Sequence, residues 1–271
     1  MVSADLAALV RIASDAARVV MEVYGREFSV EYKAPQDPVT EADRRANALI
    51  VEQLTREFPG VPIVAEESDP QTFADYRKSD HIFFVDPVDG TREFVDRNGE
   101  FAVMIGLVVG GRAVAAVIDA PARGEVFAGW VGEGAYVVRS GETRPITVSA
   151  KGDIKQGLIV GSRSHRGPKL EQALARLQPR EVLVMGSAGL KGTLVASAAV
   201  EAYVAPGDAG KRWDACAADA LVCAAGGTFT DTFGDPIDYR APSLTNDRGL
   251  LATNGHVHAA LLEAFAAIRD N

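Results

Sequence analysis

The feature that most constrains the fold is a change of pattern near residue 150. Between residues 61 and 138, apolar runs such as HIFFV and FAVMIGLVV follow one another and are joined by glycine turns, which is typical of antiparallel strands. After residue 150, apolar runs alternate with helical segments such as Pro168 to Leu177 and Trp213 to Ala225. We therefore predict an α/β chain with an antiparallel amino-terminal sheet and helices over a largely parallel or mixed carboxy-terminal sheet.

Two amphipathic helices are predicted before the strands, and a polar segment is predicted to divide the chain. The first helix has an apolar stripe that includes Leu6, Leu9 and Ala13, and the second begins at Thr40 and ends before Gly60. The segment TVSAKGDIKQG is polar and lacks periodicity, so we place a boundary between residues 145 and 156. The predicted subdomains are residues 1–150 and residues 151–271.

The charge of the chain and its first residues argue against several classes of partner. A net charge of -9 over 271 residues would repel a nucleic-acid polymer or an anionic membrane. The first twenty residues are interrupted by charges, unlike a signal peptide or a membrane span. Cys216 and Cys223 lie seven residues apart in one predicted helix, a rise of about 10.5 Å, which is beyond disulfide reach. We expect a cytoplasmic protein with neither a nucleic-acid nor a membrane partner.

The segment VDPVDGTREF places two acids directly after an apolar strand. Asp86 and Asp89 follow HIFFV, and Glu66 follows the strand VPIVA, so three carboxylates can meet at one end of a sheet. Carboxylates that close repel one another, and burial raises their pKa values unless a cation compensates. An oxygen-rich, sulfur-poor ligand set suits magnesium. The alternative is an ordinary turn, because Pro, Asp and Gly dominate turns.

Three further polar residues have a simple structural explanation when each is taken alone. Asp43 stands three residues after Thr40, where it would cap the second helix. Thr91 would start a short turn, and Asp214 would favour the positive end of the helix that Trp213 opens. Taken together, the chain carries acids at the ends of two strands and at the starts of two helices, and this recurrence favours a common site.

Three ordered motifs resemble those of the inositol monophosphatase superfamily of magnesium-dependent, lithium-sensitive phosphatases. They are AEES at residues 65–68, DPVDGTREF at 86–94 and WDACAADAL at 213–221, with PVTEAD and GSAGLK between them. The resemblance implies an α-β-α-β-α sandwich of the sugar-phosphatase type, with an antiparallel amino-terminal sheet and a mixed carboxy-terminal sheet. It also implies a homodimer and a small phosphorylated substrate.

The resemblance further implies which residues bind metal. The implied ligands of two or three Mg²⁺ ions are Glu66, Asp86, the carbonyl of Val88, Asp89 and Asp214. Asp86 would bridge two ions, with Glu66 on the first ion and both Asp89 and Asp214 on the second. Two metal ions about 3.5–4 Å apart can stabilise both the attacking and the leaving oxygens of an in-line displacement.

A catalytic pair and phosphate-binding amides follow from the same resemblance. The Thr91 hydroxyl, oriented by Asp43, would accept a proton from the metal-activated water that attacks phosphorus. The backbone amides of Gly90 and Thr91 would hold phosphate oxygens, as amides at helix starts commonly do. The implied enzyme is a metal-dependent phosphoric monoester hydrolase that forms no covalent phosphoenzyme.

Four segments resemble those of the 3'(2'),5'-bisphosphate nucleotidase branch, which releases the 3'-phosphate of adenosine 3',5'-bisphosphate. They are RNGEF, SRSH, GSAGLK and GKRWDACA. Where the inositol branch usually carries a glutamate before the Trp-Asp pair, this chain has Asp208, Lys211 and Arg212 nearby. The implied substrate-binding residues are Ser162, His165, Ser187, Lys191 and Lys211. A solvated loop histidine and a helix-surface lysine remain the alternatives for His165 and Lys191.

Three functional hypotheses are open at this point. The first is the nucleotidase that converts adenosine 3',5'-bisphosphate to AMP and phosphate. The second is an inositol-1-monophosphatase or another phosphatase of sugar or metabolite phosphates. The third is a catalytically silent dimeric scaffold, and the intact acidic set of Glu66, Asp86, Asp89 and Asp214 argues against it.

Overall fold

A computed structural model describes residues 2–34, 37–163 and 167–269. The helices are α1 Val2–Tyr24, α2 Glu41–Glu57, α3 Thr91–Val95, α4 Pro168–Leu177, α5 Ala188–Ala196, α6 Arg212–Ala224 and α7 His258–Arg269. The strands are β1 Val30–Ala34, β2 Asp37–Thr40, β3 Ile63–Ala65, β4 His81–Asp89, β5 Ala102–Val109, β6 Arg112–Ala120, β7 Glu125–Trp130, β8 Gly134–Arg139, β9 Glu142–Ile146, β10 Leu158–Ser162, β11 Glu181–Met185, β12 Ala202–Ala205, β13 Thr228–Thr230 and β14 Leu250–Thr253. No described helix is both long enough and apolar enough to cross a membrane.

The amino-terminal sheet has seven strands in the order β3-β4-β5-β6-β7-β8-β9. Every neighbouring pair is antiparallel except β3 and β4, which run parallel with Ile63 opposite Phe83. The predicted antiparallel sheet is therefore correct except at this edge. There the segment between the two strands, which includes two 3₁₀ turns, returns the chain to the end at which β3 began. The parallel pairing brings the carboxyl ends of β3 and β4 to the same end of the sheet.

The carboxy-terminal sheet is mixed, as predicted. Its order is β11-β10-β12-β14-β13, with β10 parallel to both β11 and β12 and the remaining pairs antiparallel. Four strands were not predicted: the hairpin β1-β2, the edge strand β9 and the three-residue β13. β1 and β9 are largely exposed and lack an apolar alternation, which is the signal that the prediction used.

Three apolar clusters separate the layers. In the outer amino-terminal cluster, which includes Leu9, Ile50 and Phe83, α1 and α2 pack on one face of the first sheet. In the central cluster, α5 and α6 lie between the sheets, where Leu221 joins residues of both. In the third cluster, α4 and α7 cover the outer face of the second sheet. This order is the predicted α-β-α-β-α sandwich, whereas the division at residues 150 and 151 stays a prediction.

Helix α6 approaches the first sheet closely because small residues meet at the contact. A Cβ atom added to Gly106 of β5 would lie 2.5 Å from the Cys216 Sγ atom, and one added to Gly129 of β7 would lie 2.9 Å from the Ala224 Cβ atom. Both cysteines of α6 are free thiols, and Cys216 is buried in this contact. The close packing fixes the start of α6, and therefore Asp214, over the first sheet.

Candidate active site

The acidic segment after HIFFV lies inside β4 instead of forming a free turn. Its register against β5 shifts between Asp86 and Asp89, as in a β-bulge, and the Val88 amide donates a 3.0 Å hydrogen bond to the Asp86 Oδ1 atom. Gly90 follows with a φ of 94°, and an added Cβ atom there would lie 2.7 Å from the Glu100 carbonyl oxygen. The bulge and this glycine end the strand with both aspartates held in place.

Three carboxylates converge at this end of the sheet. Glu66 follows β3, Asp86 lies in the β4 bulge and Asp214 is in the first turn of α6, and their oxygens lie within 4.8 Å of one another. The pKa values of Asp86 and Asp214 are raised well above the ordinary range. Burial is the largest cause, and repulsion from neighbouring carboxylates is the next. Burial raises the pKa of Glu66 to about 7, although Lys33 opposes the shift. The cluster stores repulsion that a cation would relieve.

Asp214 is both a helix cap and a member of this cluster. The Lys211 amide donates a 2.6 Å hydrogen bond to the Asp214 Oδ2 atom, so the helix-end explanation holds. The same oxygen lies only 2.0 Å from the position of a Cβ atom added to Gly210, whose φ is 79°. Gly210 is therefore needed for Asp214 to reach the cluster.

Asp89 lies on the same cavity wall but is bound to the start of α5. Its carboxylate accepts hydrogen bonds from the Ser187 hydroxyl and from the amides of Ala188, at 3.0 Å, and Gly189, at 2.7 Å. A carboxylate offers about four acceptor positions, so these bonds leave room for a further ligand. The predicted role of Asp89 at a second ion stays a prediction.

Asp43 and Thr91 are in contact. The Asp43 Oδ2 atom accepts bonds from the Thr40 amide at 2.9 Å and the Thr40 hydroxyl at 2.6 Å, which completes the predicted cap of α2. Its other oxygen lies 3.0 Å from the Thr91 hydroxyl, which is also 3.0 Å from the Val88 carbonyl oxygen. Burial raises the pKa of Asp43 despite these bonds. The carboxylate that caps α2 is thus also the one that contacts Thr91, and the catalytic role predicted for this pair stays a prediction.

A cavity of about 450 Å³ contains most of the predicted site residues. Its wall includes all the predicted metal ligands, Glu66, Asp86, Val88, Asp89 and Asp214, and the predicted substrate-binding residues Gly90, Thr91, Ser162, Ser187, Lys191 and Lys211. Asp43 reaches this wall through Thr91. His165 lies outside the described residues.

Lys191 is buried in the wall, so the helix-surface alternative is wrong. Its side chain is 4% exposed, and the ammonium group donates to the carbonyls of Ser187 at 2.8 Å and Met185 at 3.4 Å. It also lies 5.2 Å from the ring centroid of Tyr203. Burial lowers the pKa of Lys191, against the attraction of acids that include Asp89. Within the described part of the chain, no carboxylate pairs with this ammonium group within 4 Å.

Ser187 has a structural role that the sequence did not predict. Its backbone has a φ of 53°, which is uncommon for a residue with a side chain, and its hydroxyl donates to Asp89 and accepts a 3.0 Å bond from the Leu190 amide. The hydroxyl thus caps α5 and holds Asp89. The substrate-binding role predicted for Ser187 stays a prediction.

Lys33 is a site residue that the sequence analysis missed. Its ammonium group pairs with Glu66 at 3.1 Å and also with Glu67, from the exposed hairpin strand β1. The contact joins residues 33 positions apart, and β1 has no periodic pattern that points toward the cluster. The one sequence signal was a lysine shortly before PVTEAD, which is too common to be informative.

Comparison with known proteins agrees with this geometry. The model of the inositol monophosphatase family matches residues 1–270. The 3'(2'),5'-bisphosphate nucleotidase CysQ of Haemophilus influenzae is 31% identical over 229 residues, 84% of each chain. CysQ of Escherichia coli is 34% identical over 231 residues, which is 84% of this chain and 91% of CysQ.

Solved structures give the same family. The inositol monophosphatase (IMPase) of Thermotoga maritima superposes with a TM-score of 0.82 at 26% identity, over 100% of this chain and 99% of that one. CysQ from Bacteroides thetaiotaomicron superposes with a TM-score of 0.78 at 27% identity, over 93% and 97%. Together with the acidic cavity, these matches show that the chain belongs to the inositol monophosphatase family and is a phosphoric monoester hydrolase.

Proposed function

We propose that this chain is a magnesium-dependent 3'(2'),5'-bisphosphate nucleotidase that hydrolyses adenosine 3',5'-bisphosphate to AMP and phosphate. The observation that carries the proposal is a cavity in which an acidic cluster shares the wall with a buried ammonium group, that of Lys191. The CysQ relatives, which bear the name of this activity, support it. Lithium sensitivity and a homodimer belong to the same proposal and rest on the family resemblance, whereas the proposed cytoplasmic location rests on the two free cysteines.

The donor set fits magnesium. Carboxylate oxygens are the preferred ligands of this ion, and the crowding of Glu66, Asp86 and Asp214 calls for a cation. Asp89 and the Val88 carbonyl lie on the same wall and would complete the set. Bound magnesium would lower the pKa of water and neutralise the charge of the phosphate.

The protein's own groups orient the attacking water. Because the Thr91 hydroxyl has one proton, donating it to the Asp43 Oδ1 atom leaves the Thr91 oxygen free to accept from water. The capping bonds from Thr40 fix the Asp43 carboxylate, so its orientation does not depend on the substrate. The amides of Gly90 and Thr91, which the bulge and the αL glycine hold at the end of β4, would bind phosphate oxygens.

Two lysines would bind the second phosphate. The Lys191 ammonium group uses two of its three donors on carbonyl oxygens, which leaves one for an anion in the cavity. Lys211 is exposed at the start of α6 and lies on the same wall. A buried cation gains most from a doubly charged partner, because the low local dielectric strengthens their attraction. A substrate with two phosphates therefore fits this wall better than one with a single phosphate.

The test compares a bisphosphate nucleotide with the corresponding 3'-monophosphate and with phosphates of inositol and fructose. Phosphate release with magnesium would be measured for adenosine 3',5'-bisphosphate, adenosine 3'-monophosphate, inositol 1-phosphate and fructose 1,6-bisphosphate. We expect the first to have the highest kcat/KM, and Lys191→Met to reduce its advantage over adenosine 3'-monophosphate. Fastest turnover of inositol 1-phosphate would replace the proposal with the second hypothesis. Absence of all turnover would favour the silent scaffold.

A further inference from the structure

One wall of the cavity is a loop with little structure of its own. Residues 206–211 belong to no helix or strand, yet Pro206, Asp208, Ala209, Gly210 and Lys211 all line the cavity. Within the loop, the Gly210 amide donates a 3.1 Å bond to the Asp208 side chain. Glycine at two of its positions makes the unfolded loop more flexible. Its conformation must therefore come from contacts with the rest of the chain.

Asn246, in the segment before β14, supplies several of those contacts. Its backbone accepts a 3.1 Å bond from the Ala209 amide and donates a 2.8 Å bond to the Gly210 carbonyl. Its side-chain amide donates to the Lys211 carbonyl at 2.5 Å, and its Oδ1 atom accepts from the Arg212 guanidinium at 2.7 Å. Asn246 is 2% exposed, so these bonds form away from water. A single side chain thus contacts both Lys211, at the end of the loop, and Arg212, the first residue of α6.

The backbone of Lys211 links Asn246 to the acidic cluster. Its carbonyl accepts from Asn246, while the amide of the same residue donates to Asp214. Arg212 reinforces the arrangement, because its amide donates to the Leu244 carbonyl at 2.8 Å. Its buried Nε atom has no partner among the described residues, so its Nη1 bond to Asn246 is important for holding the guanidinium in place. A shift of Asn246 would therefore move both Asp214 and the Lys211 side chain.

We infer that Asn246 is a positioning residue that sets the metal end and the substrate end of the cavity relative to one another. Asn246 acts through Lys211 and Arg212. It does not line the cavity, so it would contact neither the metal ions nor the substrate. The inference rests on the proposed roles of Asp214 and Lys211. Residues that orient metal ligands typically change metal affinity or activity by about 10–100-fold when they are replaced.

The test uses Asn254 as a matched control. Asn254 is also 2% exposed, donates to the Lys151 carbonyl at 2.8 Å and accepts from the amides of His256 and Val257, but it does not line the cavity. For Asn246→Ala and Asn254→Ala, we would measure Tm without metal, Mn²⁺ affinity by calorimetry, and kcat and KM. We expect a similar fall in Tm for both variants, and a loss of about tenfold or more in Mn²⁺ affinity and in kcat/KM only for Asn246→Ala.

A second variant keeps the test decisive if Asn246→Ala does not fold. Asn246→Asp preserves the size of the side chain and the contact with Arg212 but removes the donor to the Lys211 carbonyl. Unchanged Mn²⁺ affinity and kinetics in a folded Asn246 variant would overturn the inference while leaving the proposed function intact. Absence of Mn²⁺ binding and turnover in the wild-type protein would overturn both. The kinetic comparison uses whichever substrate of the panel the wild-type enzyme turns over fastest.

Discussion

The buried acids at the cavity and the buried acids elsewhere in the chain differ in what surrounds them. Glu201 is 0% exposed and accepts bonds from the Ser149 hydroxyl at 2.8 Å and the Leu158 amide at 2.5 Å, with Lys151 at 3.3 Å. These donors lower its pKa in spite of burial. At the cavity, Asp86 faces other carboxylates, and its pKa is raised.

Two other buried acids fall between these extremes. Asp119 accepts a bond from the Ser14 hydroxyl, and burial raises its pKa to about 6. Asp219 accepts bonds from Tyr239 and Cys223, and burial raises its pKa to about 7. Burial therefore outweighs one or two donors at Asp119 and Asp219, the donors around Glu201 reverse the shift, and repulsion adds to burial at Asp86. The comparison teaches that Asp86 faces repelling carboxylates where Glu201 has hydrogen-bond donors and a lysine, as expected for a group that binds a cation.

The largest effect is expected for Asp86→Asn. Removing this carboxylate, which is proposed to bridge the metal ions, should lower kcat by about 10³-fold or more, as for other groups that act as a unit in catalysis. The metal-free protein should become more stable at pH 8, because one source of repulsion is gone. Phosphate release and chemical denaturation without metal would check both. Asp75→Asn, an exposed acid paired with Lys78, is the control and should change neither quantity appreciably.

The pH dependence of stability should reveal the raised pKa values of Asp219 and Asp119, two buried acids outside the cavity. The folded pKa of Asp219 is raised to about 7 from 3.8, so between these values the folded protein keeps a proton that the unfolded chain loses. Stability contributed by this group is present below pH 3.8 and falls as the pH rises to 7, by about 1.4 kcal/mol per pH unit at most. Asp219→Asn should remove this slope in denaturation curves.

Asp119→Asn serves as the matched comparison for that slope. Its folded pKa is about 6, so the difference from wild type should level off about one pH unit earlier than for Asp219→Asn. If both variants retain the wild-type slope, the folded pKa values of Asp119 and Asp219 are not raised, and the contrast with the cavity acids loses its basis.

Glu201→Gln should affect stability and leave catalysis unchanged. Gln lacks the negative charge, so the charge-assisted bonds from Ser149 and Lys151 are lost, and its NH₂ group can face the donor of the Leu158 amide. Either change should lower the unfolding free energy, by about 1.5–3 kcal/mol. Denaturation and kcat per folded molecule would be measured together. A fall in kcat as large as that of Asp86→Asn would show that the two groups of acids are not functionally distinct.

The smallest effect is expected for Lys33→Met. The Lys33 ammonium group pairs with Glu66 and Glu67, so it competes with any metal ion for the same oxygens. Its removal should raise Mn²⁺ affinity by about two- to fivefold, the equivalent of a partly exposed ion pair. Arg44→Met removes another ion pair of this hairpin, with Glu31, and should leave the affinity unchanged. Weaker Mn²⁺ binding in Lys33→Met would mean that the lysine assists the ion.

Local patterns in the sequence predicted most of the fold. The helix predicted from Pro168 to Leu177 has those bounds as α4, and the core strands were found because their apolar runs end in glycine turns. The exposed strands β1 and β9 were missed because exposed edges need no apolar alternation. The parallel pairing of β3 with β4 was also missed, because it depends on how the chain returns after Glu66.

The candidate site was predictable where its residues follow strands or begin helices. The positions of Glu66, Asp86 and Asp214 drew attention to them, the family resemblance assigned them to a metal site, and the structure brings them together. Contacts between distant segments left no such signal, as with Lys33 at Glu66 and Asn246 at Lys211. The alternative roles of Asp43 could not be separated for a different reason, because the carboxylate that caps α2 also contacts the Thr91 hydroxyl.

The most direct measurement is anomalous diffraction from crystals soaked in Mn²⁺. The account predicts a strong peak within coordination distance of the Glu66, Asp86 and Asp214 carboxylates, and its loss in Asp86→Asn crystals. Well-ordered crystals with no peak between these carboxylates at saturating Mn²⁺, or with an undiminished peak in the variant, would contradict it.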